Sequence, residues 1–221
     1  MTDDAGAKVI KSRLAESAYN SPYSHAGAPE PHPNENPYAS LRRDALAKLE
    51  AMGYDPKTMV ERGVVWAEDQ DPLGAVMRAQ YIQFFDNCFY RVMESYEEFL
   101  SQQEYDDMIQ ARSIILAVRK HEVILRRPVT YPDSLIAAYR PEIADPTRNG
   151  GTTSLFSLKQ QSIVAECKSS VTYINAKTGR PRDIRTVGGG WPKLHDGLLK
   201  RCDDSRAKKE KWEAEHLKPK L

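Results

Sequence analysis

Between Ala75 and Leu100, the residues Tyr81, Phe84, Phe85, Cys88, Phe89, Val92 and Tyr96 recur at helical spacing. That pattern predicts an amphipathic helix with an unusually wide apolar stripe, so most of its circumference must be covered by the rest of the chain. A continuous helix of this length would reach about 40 Å, against about 33 Å for a ten-residue strand, so a break near Met93 is expected if a sheet is to cover it. Plain core packing, at about 1.5–3 kcal/mol per buried side chain, accounts for these aromatics without a cofactor box.

The covering material is legible on both sides. Apolar and β-branched residues mark one strand over 59–68, ahead of the helix, and further strands over 113–125, 134–143 and 152–173 after it. The last stretch is expected as two strands joined near Gln160 and Gln161. Pro128, Pro132-Asp133 and Asn149-Gly150-Gly151 read as turns, and the polar residues 102–107 as a connection. One strand, one long helix and four strands give an α+β chain with an antiparallel sheet rather than a doubly wound one.

The ends read differently. Residues 1–37, rich in Pro, Ser, Ala and Asn, are expected to form a flexible arm with scattered tyrosines. Residues 38–58 hold a short helix, with Leu41, Ala45, Leu46 and Leu49 on one face and Gly53 as its stop. Residues 59–184 form the main domain. Over 185–221, Gly188 to Gly190 break the chain before a helical pattern through Leu194, Leu198 and Leu199, which becomes a charged extension read as a solvated helix.

The 221 residues carry 32 Lys and Arg against 31 Asp and Glu, so no global field draws the chain to nucleic acid or an anionic membrane. No apolar run approaches the roughly 20 residues that span a bilayer. Three cysteines without C-x-x-C spacing and five scattered histidines point to a reducing compartment and to no metal site. An intracellular location, cytoplasmic or mitochondrial, is expected.

The stretch leading into the long helix carries the chemistry. Val64, Val65 and Trp66 suit a buried, pleated surface; Pro72 and Gly74 then break regular structure, and Asp69 and Asp71 stand just before the helix. Acids at that position commonly cap a helix, worth about 1 kcal/mol. The order Asp69, Asp71, Gly74, Val76 and Tyr81, with its Asp71-Pro72 step, resembles the hotdog-fold thioesterases of the hydroxybenzoyl-CoA thioesterase family. The segments 126–135 and 163–184, the latter with its Thr178-Gly179-Arg180-Pro181 turn, extend the resemblance over about residues 59–184.

That resemblance implies an antiparallel sheet wrapped around the central helix, at least a homodimer, and acyl-CoA thioesters as substrates with no further cofactor. It implies Asp71 as nucleophile or general base, with the helix start at Gly74 and Ala75 polarising the thioester carbonyl. Asp69, Arg78 and Tyr81 would border the substrate, and Arg126 and Arg127 would meet the CoA phosphates. Asp86 is the alternative carboxylate, since one branch of the family places it on the helix. Ala75, Met77 and Arg78 replace the polar residues many relatives carry, which favours the rival reading of an inactive scaffold or subunit of a larger assembly, joined through the terminal extensions. His121 and Glu122, adjacent in a strand, point to opposite faces and are set aside as an acid/base pair.

Overall fold

The computed structural model describes residues 39–216, so the N-terminal arm lies outside the described residues. Helix α1 (Ala39–Ala51) ends in a Schellman turn: Gly53, at φ +87°, and Tyr54 donate their amides to Glu50 and Leu49. Strand β1 (Val60–Gly63) follows, then a single helical turn, α2 (Trp66–Asp69), and the long helix α3 (Arg78–Glu94). After α4 (Gln102–Ile109) come β2 (Ile114–Leu125), β3 (Ser134–Asp145), β4 (Arg148–Ser157) and β5 (Ser162–Asn175), and α5 (Trp191–His216) closes the described chain. The five strands form one antiparallel sheet in the order β1-β3-β4-β5-β2.

Alternation along the central strands fills both faces of this sheet. Leu135 and Ala137 of β3, with Leu155 of β4, join the α3 residues Tyr81, Phe84, Phe85 and Cys88 in one core. The intervening Ile136 and Ala138, with Phe156, join Ala45 and Leu49 of α1 in another. A third core gathers Val92, Tyr96 and Leu100 with Ile114, Tyr173 and the α5 residues Trp191, Leu194 and Leu198.

Four expectations are corrected. The first strand stops at Gly63 rather than running to Glu68, because the Asp69 carboxylate takes the Val65 amide and the Glu68 and Asp69 amides turn back onto the Val65 carbonyl. Trp66 consequently faces solvent. Helix α3 begins at Arg78 rather than Ala75, because Val76 bridges to Gln70 and gives its amide to Val129. It ends at Glu94 in a 3-10 turn over Ser95–Glu98, one residue past the expected break. Asn149-Gly150-Gly151 lie inside β4 and not in a turn. There a Cβ on Gly150 would come within 2.6 Å of the Ser169 carbonyl oxygen and one on Gly151 within 2.1 Å of that of Arg140, so the glycines let neighbouring strands close up.

The fourth correction concerns the polar residues 102–107, which form α4. Their signature was available: Ser101 and Glu104 make a reciprocal capping box. The C-terminal segment also does more than extend into solvent. The first half of α5 is core, and Arg201 on the same helix bonds the Ser95 hydroxyl at 2.7 Å and Glu98 at 3.0 Å. No described helix is long and apolar enough to cross a membrane.

Candidate active site

The two acids before α3 have separate fates. Asp69 is fully buried, with one carboxylate oxygen held by Arg62 at 3.0 Å and the other by the Val65 amide at 2.7 Å. Its carbonyl accepts the Met77 amide, so Asp69 ties β1, α2 and the start of α3 together and has no face left for a substrate. Arg62 lies in turn over the Phe84 ring, 4.6 Å from its centroid. Sequence reading overlooked Arg62, since its partner becomes apparent only once the turn closes.

Asp71 sits at the tip of the loop, half-buried. Its Oδ1 accepts the Leu73 amide at 2.8 Å and the Ala75 amide at 3.1 Å, while its Oδ2 has no partner among the described residues. Gly74, at φ +79°, returns its own amide to the Asp71 carbonyl. The loop therefore consumes the amides of Leu73, Gly74 and Ala75, and those of Val76 and Met77 go to Val129 and Asp69. Gly74 and Ala75 cannot supply an oxyanion site. Between Leu73 and Ala79, the backbone donors with no acceptor among the described residues are those of Arg78 and Ala79, in the first turn of a helix whose N-cap, Met77, offers no side-chain cap and whose first turn carries no acid.

The remaining candidates scatter. Arg78 is exposed at that first turn. Tyr81 is 3 % exposed within the core; burial pushes its hydroxyl pKa up, and a backbone hydrogen bond at Val129 offsets part of that. It packs rather than lining an open surface. Arg126 pairs with Glu166, and Arg127 reaches the Ser162 hydroxyl; both lead into the segment whose Val129 carbonyl holds Val76.

Asp86 lies about 12 Å further along α3 than Arg78, at 1.5 Å per residue, and so belongs to a different neighbourhood. It lines a cavity of about 40 Å³ between α3 and the sheet, together with Phe85, Phe89, His121, Tyr139 and Asn149. Burial raises its carboxyl above the ordinary range, and His121 opposes the shift. His121 and Glu122 do part as expected, Glu122 pairing with Lys120, but His121 gains Asp86 as a neighbour instead. Deeper in the cavity, Asn149 donates to the Tyr96 hydroxyl at 2.6 Å, and its own Oδ1 is unpartnered. So small a space takes one or two waters rather than an acyl group. Among the described residues, no group of three or more His, Cys, Asp or Glu could hold a metal ion.

Solved structures share this architecture. A DHNA-CoA thioesterase from Staphylococcus aureus superposes with a TM-score of 0.54 at 14% identity, over 66% of this chain and 93% of its own. A second Staphylococcus aureus protein, solved in complex with CoA, gives 0.53 at 14% identity, over 66% and 82%. A 1,4-dihydroxy-2-naphthoyl-CoA thioesterase from Synechocystis gives 0.51 at 18% identity, over 64% and 96%. At such identities the likeness speaks for the hotdog fold alone. No curated protein matches the sequence. The family profile, which does not depend on those superpositions, matches residues 65–195, running from the carboxylate loop into α5, and by that match the chain belongs to the thioesterase-like superfamily.

Proposed function

We propose that the protein hydrolyses CoA thioesters at the loop between α2 and α3, with Asp71 as the reacting carboxylate. The observation that carries this reading is the division of labour at Asp71: Oδ1 is pinned by two amides, which fixes the group, while Oδ2 has no partner among the described residues, in the loop that leads into an uncapped helix start. Oδ2 either attacks the thioester carbonyl or takes a proton from an attacking water. In both routes negative charge develops on the carbonyl oxygen, where the Arg78 and Ala79 amides and the α3 dipole are suited to stabilise it. Arg78, Arg126 and Arg127 are the cations assigned to the CoA phosphates, and the working unit is a pair of subunits.

A second reading, a hotdog subunit that binds without hydrolysing, is favoured by one observation: the amides nearest Asp71 are all consumed by its own loop. Hydrolysis of short, long and aromatic acyl-CoAs, followed by release of free thiol, separates the two. Turnover that disappears in Asp71→Asn supports the enzyme. No turnover with any acyl group, together with measurable CoA binding, supports the binding subunit.

A further inference from the structure

Half of the large apolar side chains exposed among the described residues gather at one end of the sheet, where β2 stops, β3 starts and the carboxylate loop lies. They are Leu73, 91 % exposed, Trp66, 67 %, and Tyr131, 49 %, with Val65, Ile124 and Leu125. Backbone bonds bring these positions together. The Val64 amide bonds the Asp133 carbonyl and so carries the β1–β3 register one step beyond Gly63 and Ser134, which sets Val65 and Trp66 at the level of Pro132 and Tyr131. The Val76 amide ties the carboxylate loop to Val129 of the same proline turn, and Leu73 stands at the tip of that loop, its amide held by Asp71. Leu125 closes β2 and leads into the turn through Arg126 and Arg127. Apolar residues exposed singly are ordinary on a protein surface, whereas a contiguous set marks a contact.

The charges around this end are unequal. Most of its acids are matched: Asp69 by Arg62, Glu61 by Arg42, Glu166 by Arg126, and Asp133 by the Ser157 hydroxyl and the Ser134 and Lys159 amides. Arg78, Arg127 and Lys159 are exposed and have no ion-pair partner among the described residues, and they face only the exposed Glu68 and the half-buried Asp71. Three cations against two acids leave an excess of one positive charge.

We propose that this end of the molecule docks on a phospholipid bilayer, with Leu73 and Trp66 entering the acyl boundary, Tyr131 at headgroup level, and Arg78, Arg127 and Lys159 against lipid phosphates. A folded partner would have to supply a matching pocket for each protruding side chain; a bilayer accepts them without one. Trp and Tyr carry an apolar body with a polar tip, which suits them to the boundary between acyl chains and water. The positive excess complements anionic headgroups. Three anchoring side chains make a reversible contact that lies on the membrane rather than crossing it. Arg78 and Arg127 are also the cations assigned to CoA, but docking rests neither on that assignment nor on hydrolysis.

Flotation of the full-length protein with vesicles of phosphatidylcholine, alone or mixed with phosphatidylserine, tests this, with binding expected to both and tighter to the mixture. Leu73→Glu should weaken partition onto either vesicle by about tenfold or more while leaving the melting temperature unchanged, since it replaces an apolar anchor by a charge at an exposed tip. Lys159→Glu should weaken binding to the mixture and leave binding to phosphatidylcholine alone nearly unaffected. Trp66 supplies a second readout, because Trp191 is buried and Trp212 lies on α5. Vesicles should shift the tryptophan emission to the blue, and Trp66→Phe should still bind but lose the shift. No flotation with either vesicle, flotation undiminished in Leu73→Glu, or emission unchanged by vesicles overturns the proposal. So does a Leu73→Glu variant whose mass changes in light scattering while its flotation does not, the result expected if a second copy covers this end.

Discussion

Replacing the two loop acids separately tests how the site is built. Asp69→Asn keeps the shape but removes the charge opposite Arg62, leaving a guanidinium whose side chain is 24% exposed without its partner. Breaking a buried pair from one side costs about 3–5 kcal/mol, and partial exposure of Arg62 puts the expectation near the lower end, about 3 kcal/mol. For a chain of this size that corresponds to a fall in Tm of roughly 6–12 °C. Asp71→Asn should behave oppositely. Its Oδ1 still accepts from Leu73 and Ala75, so stability should change by less than about 0.5 kcal/mol. Turnover should nevertheless fall about 100-fold or more, because the free Oδ2 becomes an amide that can neither attack nor take a proton. Thermal melts and acyl-CoA turnover, measured on both variants, give four numbers. Equal melting temperatures for the two, or full activity in Asp71→Asn, would refute the reasoning.

Gly197→Ala would ordinarily stabilise a helix by about 1 kcal/mol. Here the new Cβ would lie 2.3 Å from the Phe99 ring, so the melting temperature should fall instead. Glu104 is desolvated by burial, but hydrogen bonds from the Gly190 amide and from Ser101, with Lys193 nearby, outweigh that and hold its carboxyl below the usual range. Its contribution is therefore present above the unfolded value of about 4.5 and lost as pH falls through the lower folded value. Wild-type melts should show this loss below about pH 4.5, and Glu104→Gln should flatten it. Asp86→Asn should leave thioester turnover within about threefold of wild type while raising the melting temperature above pH 5, since a carboxylate penalised by burial is replaced by a neutral amide. Loss of turnover in that variant alone would move the chemistry onto α3.

Local chemistry reaches only as far as its own residues. The aromatic stripe of α3, the proline turn at 128–133 and the β4–β5 junction were legible because periodicity and turn residues act within a few positions of one another. The α4 helix was read as a connection because its surface is polar, although the spacing of Ser101 and Glu104 carries the signature of a capping box. The carboxylate loop was recognisable by the order of Asp69, Asp71, Gly74 and Tyr81, but the roles within it were not. Which acid is buried depends on Arg62 arriving from β1, and which amides remain free depends on Val129 and Asp69 taking those of Val76 and Met77. The same holds for Gly150 and Gly151, which look like a turn until strands on either side crowd them, and for Asp86, which acquires His121 from a strand 35 positions away. A residue's propensity is set by its own side chain and backbone, whereas burial and pairing are set by whatever the fold brings against it, and the chemistry of this site rests on the second.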